Sequence, residues 1–271
     1  MITDGERLMR RGGGAPPRSK GTPAAWRPSQ SLRSSRQGAG PVVRLLLLRG
    51  FELTCDGRSI PLVMSAQRLL AFLALHDRSL PRAYVAETLW LDTPGARAAA
   101  CLRSTLWRAG IPGLDLIEAG ADHLRLDRDV GVDVREVGAL IRRLEQLDEP
   151  LADIDLSALR GGDLLPGWYD DWVLIERERY RQLGLHGLEM LCCRLARQGR
   201  FAAAVEAGLA AVEGEPLRES AHRALIQVHL SEGNAGEAIR QYRIYSELVR
   251  RELGLEPSGL MTELIRGLTV G

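Results

Sequence analysis

From Pro41 the chain alternates apolar and polar residues in runs of strand length, VVRLLLLRGFELTCDGRSIPL. Asp56-Gly57 is a two-residue hairpin signal between a run ending near Thr54 and a short run at Ile60 to Leu62, which predicts a small antiparallel sheet. The period then becomes helical. Ser65 is predicted to cap SAQRLLAFLALH, where Leu69, Leu70, Phe72, Leu73 and Leu75 share a broad apolar face. Pro81 opens a second helix, PRAYVAETLW, and Pro94-Gly95 breaks the chain before a third, GARAAACLRSTLWRAG. In the third helix Ala98, Ala99, Leu102, Leu106 and Ala109 form an apolar stripe. Arg97, Cys101, Ser104 and Arg108 line the opposite face, flanked by Arg103 and Trp107. The next segment, LDLIEAGADHLRLD, alternates on either side of Ala119-Gly120-Ala121 as a hairpin does. A sheet, three helices and a hairpin, in that order, predict a winged helix-turn-helix.

The C-terminal half repeats itself. Gly199 and Gly233 are 34 residues apart, as are Ala204 and Ala238, which is the tetratricopeptide period. Small alanines suit positions where paired helices approach closely, Pro216 closes the first repeat, and Pro257 closes a longer second one. In AIRQYRIYSELVRREL, Ile239, Tyr242, Tyr245, Leu248 and Val249 share a side, leaving Arg240, Arg243, Arg250 and Arg251 to solvent or a partner. The expected fold is mostly α with small β-sheets: an N-terminal winged helix-turn-helix followed by an all-α tetratricopeptide-like domain. The expected divisions are residues 1–40, 41–130 and 131–271.

Composition changes the picture mainly at the N-terminus. Residues 1–40 are rich in Gly, Pro, Ser and Arg without an apolar period, so a disordered tail, beyond a misassigned start, is expected there, with a weak non-specific attraction to DNA as the alternative reading of its basic residues. At 45% hydrophobic and 26% charged, the chain as a whole has globular composition, and its net charge of +1 points to no particular partner. Only a local concentration of charge can do that. Lys20 is the only lysine, so the cations are almost all arginine, a bias that nucleotide composition also produces.

The third helix supplies such a concentration: three arginines and no acidic residue from Gly95 to Gly110. In isolation this reads as a solvated face. Within a winged helix it reads as the helix that enters the DNA major groove, with one apolar face to hold its angle and one face of donors for phosphates and base edges. Arg97, Arg103, Ser104, Thr105, Trp107 and Arg108 are the candidate DNA-facing residues, with His123 and Arg125 on the wing. Trp107 has a competing reading, packing against wing or sheet, and His123 that of a plain surface residue.

These residues carry a resemblance. LLLLRGFELTCDGRSIPL, SAQRLLAFLAL, YVAETLW, AACLRSTLWRAG and HLRLD look like the OmpR-type winged helix of the Streptomyces antibiotic regulatory protein (SARP) family. VDVREVGALIRRL and LLPGWYDDWVLIERERYRQL resemble the opening of that family's bacterial transcriptional activator domain, and LLPGWYDDW is the most specific piece. The resemblance covers most of the chain. It implies a transcriptional activator that binds double-stranded promoter DNA, typically at direct repeats, and recruits RNA polymerase holoenzyme, often at antibiotic or other secondary-metabolite gene clusters. A dimer or a side-by-side pair on DNA is compatible with this. The absence of a Walker motif and of a receiver domain likens the chain to the family's short form. The chain departs from a basic winged helix at the wing, where Asp115, Glu118, Asp122, Asp127 and Asp129 crowd together and imply modest intrinsic affinity.

No catalytic arrangement is expected. Cys55, Cys101, Cys192 and Cys193 lack zinc-site spacing, the five histidines lack nucleophile partners, and Asp170-Asp171 reads as a cap for the helix that follows. The expectation is therefore no enzyme, no cofactor, no metal and no membrane, in a cytoplasmic, nucleoid-associated protein. The rival reading is a tetratricopeptide-type adaptor whose winged helix binds protein rather than DNA.

Overall fold

A computed structural model describes residues 40–146, 159–160 and 162–268, all within one compact unit. The expected N-terminal tail, apart from residue 40, lies outside the described residues. The chain opens with β1 (Val43–Leu46), β2 (Glu52–Cys55) and β3 (Arg58–Ser59), joined as antiparallel neighbours. Asp56 and Gly57 both take positive φ (49° and 76°), as a two-residue turn that continues the strand twist requires. The third strand starts earlier than its apolar residues suggested, because that tight turn sets the pairing at Cys55 and Arg58.

Three helices follow: α1 (Met64–His76), α2 (Arg82–Leu89) and α3 (Gly95–Ala109). Ser65 lies inside α1 rather than at its cap, which is Val63 and has no side-chain capping bond. The N-terminal donors of Ala66 and Gln67 instead bond to the Val63 carbonyl. Pro81 sits one residue before α2, in a short strand β4 (Leu80–Pro81) with no sequence signal of its own. β4 pairs with β6 (His123–Leu126), which forms the predicted hairpin with β5 (Ile117–Ala119). A last strand, β7 (Gly131–Val132), returns to run parallel to β1, crossing the expected division at residue 130.

The C-terminal part, beginning with α4 (Asp133–Glu145), is all helical. It continues as α5 (Asp171–Arg197), α6 (Phe201–Gly214), α7 (Glu219–Glu232), α8 (Ala235–Leu253) and α9 (Gly259–Ile265). Consecutive members from α5 to α8 pack in pairs. The repeat is visible in three dimensions. Gly199 and Gly233 take left-handed φ (71° and 88°) just after α5 and α7, and Ala204 and Ala238 are fully buried one turn into the next helix. The predicted side of α8 is buried or half-buried, with Arg240, Arg243, Arg250 and Arg251 exposed.

The LLPGWYDDW stretch joins the two parts. Leu48 and Leu164 form an antiparallel bridge beyond the end of β1, where Arg49 N–H donates to the Asp163 carbonyl (3.0 Å) and Leu165 N–H to that of Leu47 (2.9 Å). Leu164, Leu165, Trp172 and Val173 are buried in the core of the winged helix, with Trp172 edge-on to Phe72 at 5.2 Å. Each such side chain contributes about 1.5–3 kcal/mol by leaving water. Arg177 holds the strap by donating to the carbonyls of Leu164, Leu165 and Trp168 (2.6–3.0 Å). Asp170 stands at the N-cap of α5, but its carboxylate pairs with Arg68 and makes no cap bond, a departure from the expected role of the Asp pair.

Candidate nucleic-acid interface

α3 divides along its length as its sequence predicts. Ala98, Leu102 and Ala109 are buried against α1 and α2, and Leu106 joins that core in part. Pro94 opens the helix, its carbonyl accepting from Arg97 and Ala98 N–H (2.8 and 2.9 Å), and the first turn carries no acidic residue. The cationic face is therefore not neutralised by its own helix.

Arg97, Arg103, Ser104 and Arg108 are all exposed on that face. None of the three arginines has an ion pair or hydrogen bond among the described residues, in contrast to Arg44, Arg68, Arg135, Arg177, Arg181 and Arg218 elsewhere. Unpaired guanidinium groups on an exposed helix are free to meet phosphates or the O6/N7 edge of guanine. Trp107 is 74% exposed, so the packing reading of this residue does not hold.

Two expected contacts require correction. Thr105 is only 2% exposed: it falls on the inner face of α3, between Leu102 and Ala109, and cannot reach DNA without moving the helix. Arg125 is drawn inward, its side chain 22% exposed and 3.9 Å from Asp77 in the turn after α1. His123, two residues earlier on the same strand face, is exposed at the open end of the wing.

The wing is positioned by a residue that periodicity alone does not single out. Arg82, at the start of α2, donates its Nε to the Gly120 carbonyl (3.1 Å) and its backbone N–H to that of Asp122 (2.8 Å). The wing's acidic residues are mostly exposed, with Glu118 4.0 Å from Arg128. Asp133, at the start of α4, ties the wing's return to the first sheet. Its carboxylate accepts from the N–H groups of Leu47 (2.9 and 3.0 Å), Leu48 (2.9 Å) and Val134 (2.8 Å), and burial pushes its pKa up against the lowering effect of those bonds.

Among the described residues no group of three or more His, Cys, Asp or Glu is placed to hold a metal ion, and no helix is long and apolar enough to cross a membrane. Burial raises the Cys192 thiol to about 12, so it is protonated and unreactive at neutral pH.

Residues 126–268 match the family described as the bacterial transcriptional activator domain. A solved structure of Mycobacterium tuberculosis EmbR in complex with a low affinity phosphopeptide has the same fold, with a TM-score of 0.58 and 21% identity. That similarity covers 83% of this chain but 64% of the EmbR chain. No curated protein matches the sequence. The matched family is one of transcriptional regulators, not of enzymes. The chain belongs to the bacterial transcriptional activator domain family.

Proposed function

We propose that this activator binds promoter DNA in a sequence-specific way through α3, with residues 41–130 as the DNA-binding unit and 131–271 as the helical activator unit. The observation that carries the reading is the set of exposed, unpartnered Arg97, Arg103 and Arg108 on a helix whose other face is buried in a winged-helix core. Ser104 and Trp107 complete the reading surface, and His123 meets the backbone from the wing. Arg125 supports the wing through Asp77 rather than contacting DNA.

The helical unit recruits RNA polymerase, in a cytoplasmic, nucleoid-associated setting and at promoters of a secondary-metabolite cluster. The acidic wing keeps single-site affinity modest, and side-by-side binding to direct repeats supplies the remainder. Half-sites then bind much more weakly than paired sites.

The test is binding of the full chain to promoter fragments flanking its gene at two salt concentrations, for the native protein and Arg103→Ala/Arg108→Ala. Selective binding that weakens with salt and disappears in the variant supports the reading. Salt-insensitive binding, or identical behaviour of both proteins, transfers the function to the helical repeats as a protein adaptor.

A further inference from the structure

A cleft of about 610 Å³ lies where the C-terminal end of α1 meets α4 and α5. It is as large as many small-molecule sites and falls at the seam between the winged helix and the helical part, where such sites often form. Arg78, Arg135, Arg142 and Arg179 line it, against the carboxylates of Asp77 and Glu176.

The existing pairings leave positive charge over. Asp77 is taken up by Arg135 at 3.1 Å, while two further donors of Arg135 go to the carbonyls of Ala74 (3.0 Å) and Leu73 (3.4 Å) at the end of α1. Arg179 pairs with Glu176 only loosely, at 3.8 Å, and its side chain remains 78% exposed. Arg78 and Arg142 are exposed and have no ion pair or hydrogen bond among the described residues. Three guanidinium groups, from the loop after α1, from α4 and from α5, thus line one concave surface. A concave surface with positive charge in excess concentrates anions, and guanidinium groups bind phosphate oxygens in pairs.

Tyr180, which lines both this cleft and a second one between α5 and α6, has a buried hydroxyl without a hydrogen-bond partner among the described residues. We infer that this cleft binds a polyphosphate-bearing small molecule, held by Arg78, Arg142 and Arg179.

The test uses the full chain without DNA, so it stands or falls separately from the DNA-binding reading. ATP, pyrophosphate and orthophosphate are titrated at constant ionic strength, followed by calorimetry and by thermal midpoint. Three proteins are compared: native, Arg142→Ala/Arg179→Ala, and Arg103→Ala/Arg108→Ala. Saturable binding of ATP or pyrophosphate that weakens at least about tenfold in the cleft variant, and is unchanged in the α3 variant, supports the site. Tighter binding of ATP than of pyrophosphate assigns the cleft to a nucleotide, and equal binding to an inorganic polyphosphate. Absence of binding, binding unaffected by the cleft substitutions, or binding lost in the α3 variant overturns the inference. Both substituted arginines lie on the surface, and an unchanged midpoint without ligand shows that the variant is folded.

Discussion

Arg68 on α1 forms an ion pair with Asp170 at the N-cap of α5, and the same guanidinium donates to the Leu89 carbonyl at the end of α2 (3.1 Å). One side chain therefore ties two helices of the winged helix to the long helix of the activator unit. Both partners are about three-quarters buried, so screening by water is limited. Arg68→Ala is expected to cost about 1–3 kcal/mol in urea unfolding, and Asp170→Ala somewhat less because the Leu89 bond survives. In a double-mutant cycle the two should couple by about 1 kcal/mol. Additive losses would mean that the pair does not hold the joint.

The crossing of α4 over α5 depends on Gly187. A Cβ there would lie 2.8 Å from Ile141 Cγ1, 3.1 Å from its Cδ1 and 3.2 Å from Leu159 Cδ2. Gly187→Ala should therefore destabilise by about 1–3 kcal/mol despite the better helix propensity of alanine. In an Ile141→Ala background the same change should cost markedly less, since the two nearest opposing carbons are gone and only Leu159 Cδ2 remains. Equal cost in both backgrounds would contradict the close approach.

His222 makes the second helical repeat sensitive to acid. Its Nε2 bonds to the Pro216 carbonyl (2.8 Å), its Nδ1 meets the Gln241 amide (2.7 Å), and its ring lies 4.7 Å from that of Tyr245. With Nε2–H donating to the carbonyl, Nδ1 is the acceptor, so this geometry requires the neutral ring. Burial lowers the pKa below 6.5, outweighing the opposing pull of Pro216 and Glu219. The unfolded chain then binds the proton more readily than the folded one. The stabilisation is complete above about pH 6.5 and is lost as pH falls through the lower folded value. The urea midpoint should fall from pH 7.5 to pH 5, and His222→Gln should flatten that part of the profile. An unchanged slope in the variant would assign the acid sensitivity to other groups.

Trp107 and Thr105 differ by two positions yet should respond differently. Trp107→Ala removes an exposed ring and is expected to leave unfolding within about 0.5 kcal/mol of the native value. On the proposed DNA-binding reading it should weaken promoter affinity about tenfold, near 1.4 kcal/mol. Thr105→Val, on the buried face, should leave promoter affinity unchanged while shifting stability. The opposite pattern would mean that α3 presents a different face to DNA.

The features legible in the chain were those written in local order. Apolar spacing is enough for α1, α2, α3 and α8, Asp56-Gly57 for the first turn, and the 34-residue recurrence for Ala204 and Ala238, because each depends on neighbours within a few turns or on simple repetition. The same spacing shows that Arg97, Arg103 and Arg108 lie opposite a buried stripe. It cannot assign Thr105, at the edge of that stripe, since the width of the buried face is set by how closely α1 and α2 pack on it. Nor can it place Arg125 beside Asp77, give Asp133 its three backbone donors, or pair Leu48 with Leu164. The partners in these contacts, apart from Val134, are tens of residues away. A long-range contact leaves no period in the sequence, and its geometry exists only after the two cores have closed on the Leu164–Val173 strap.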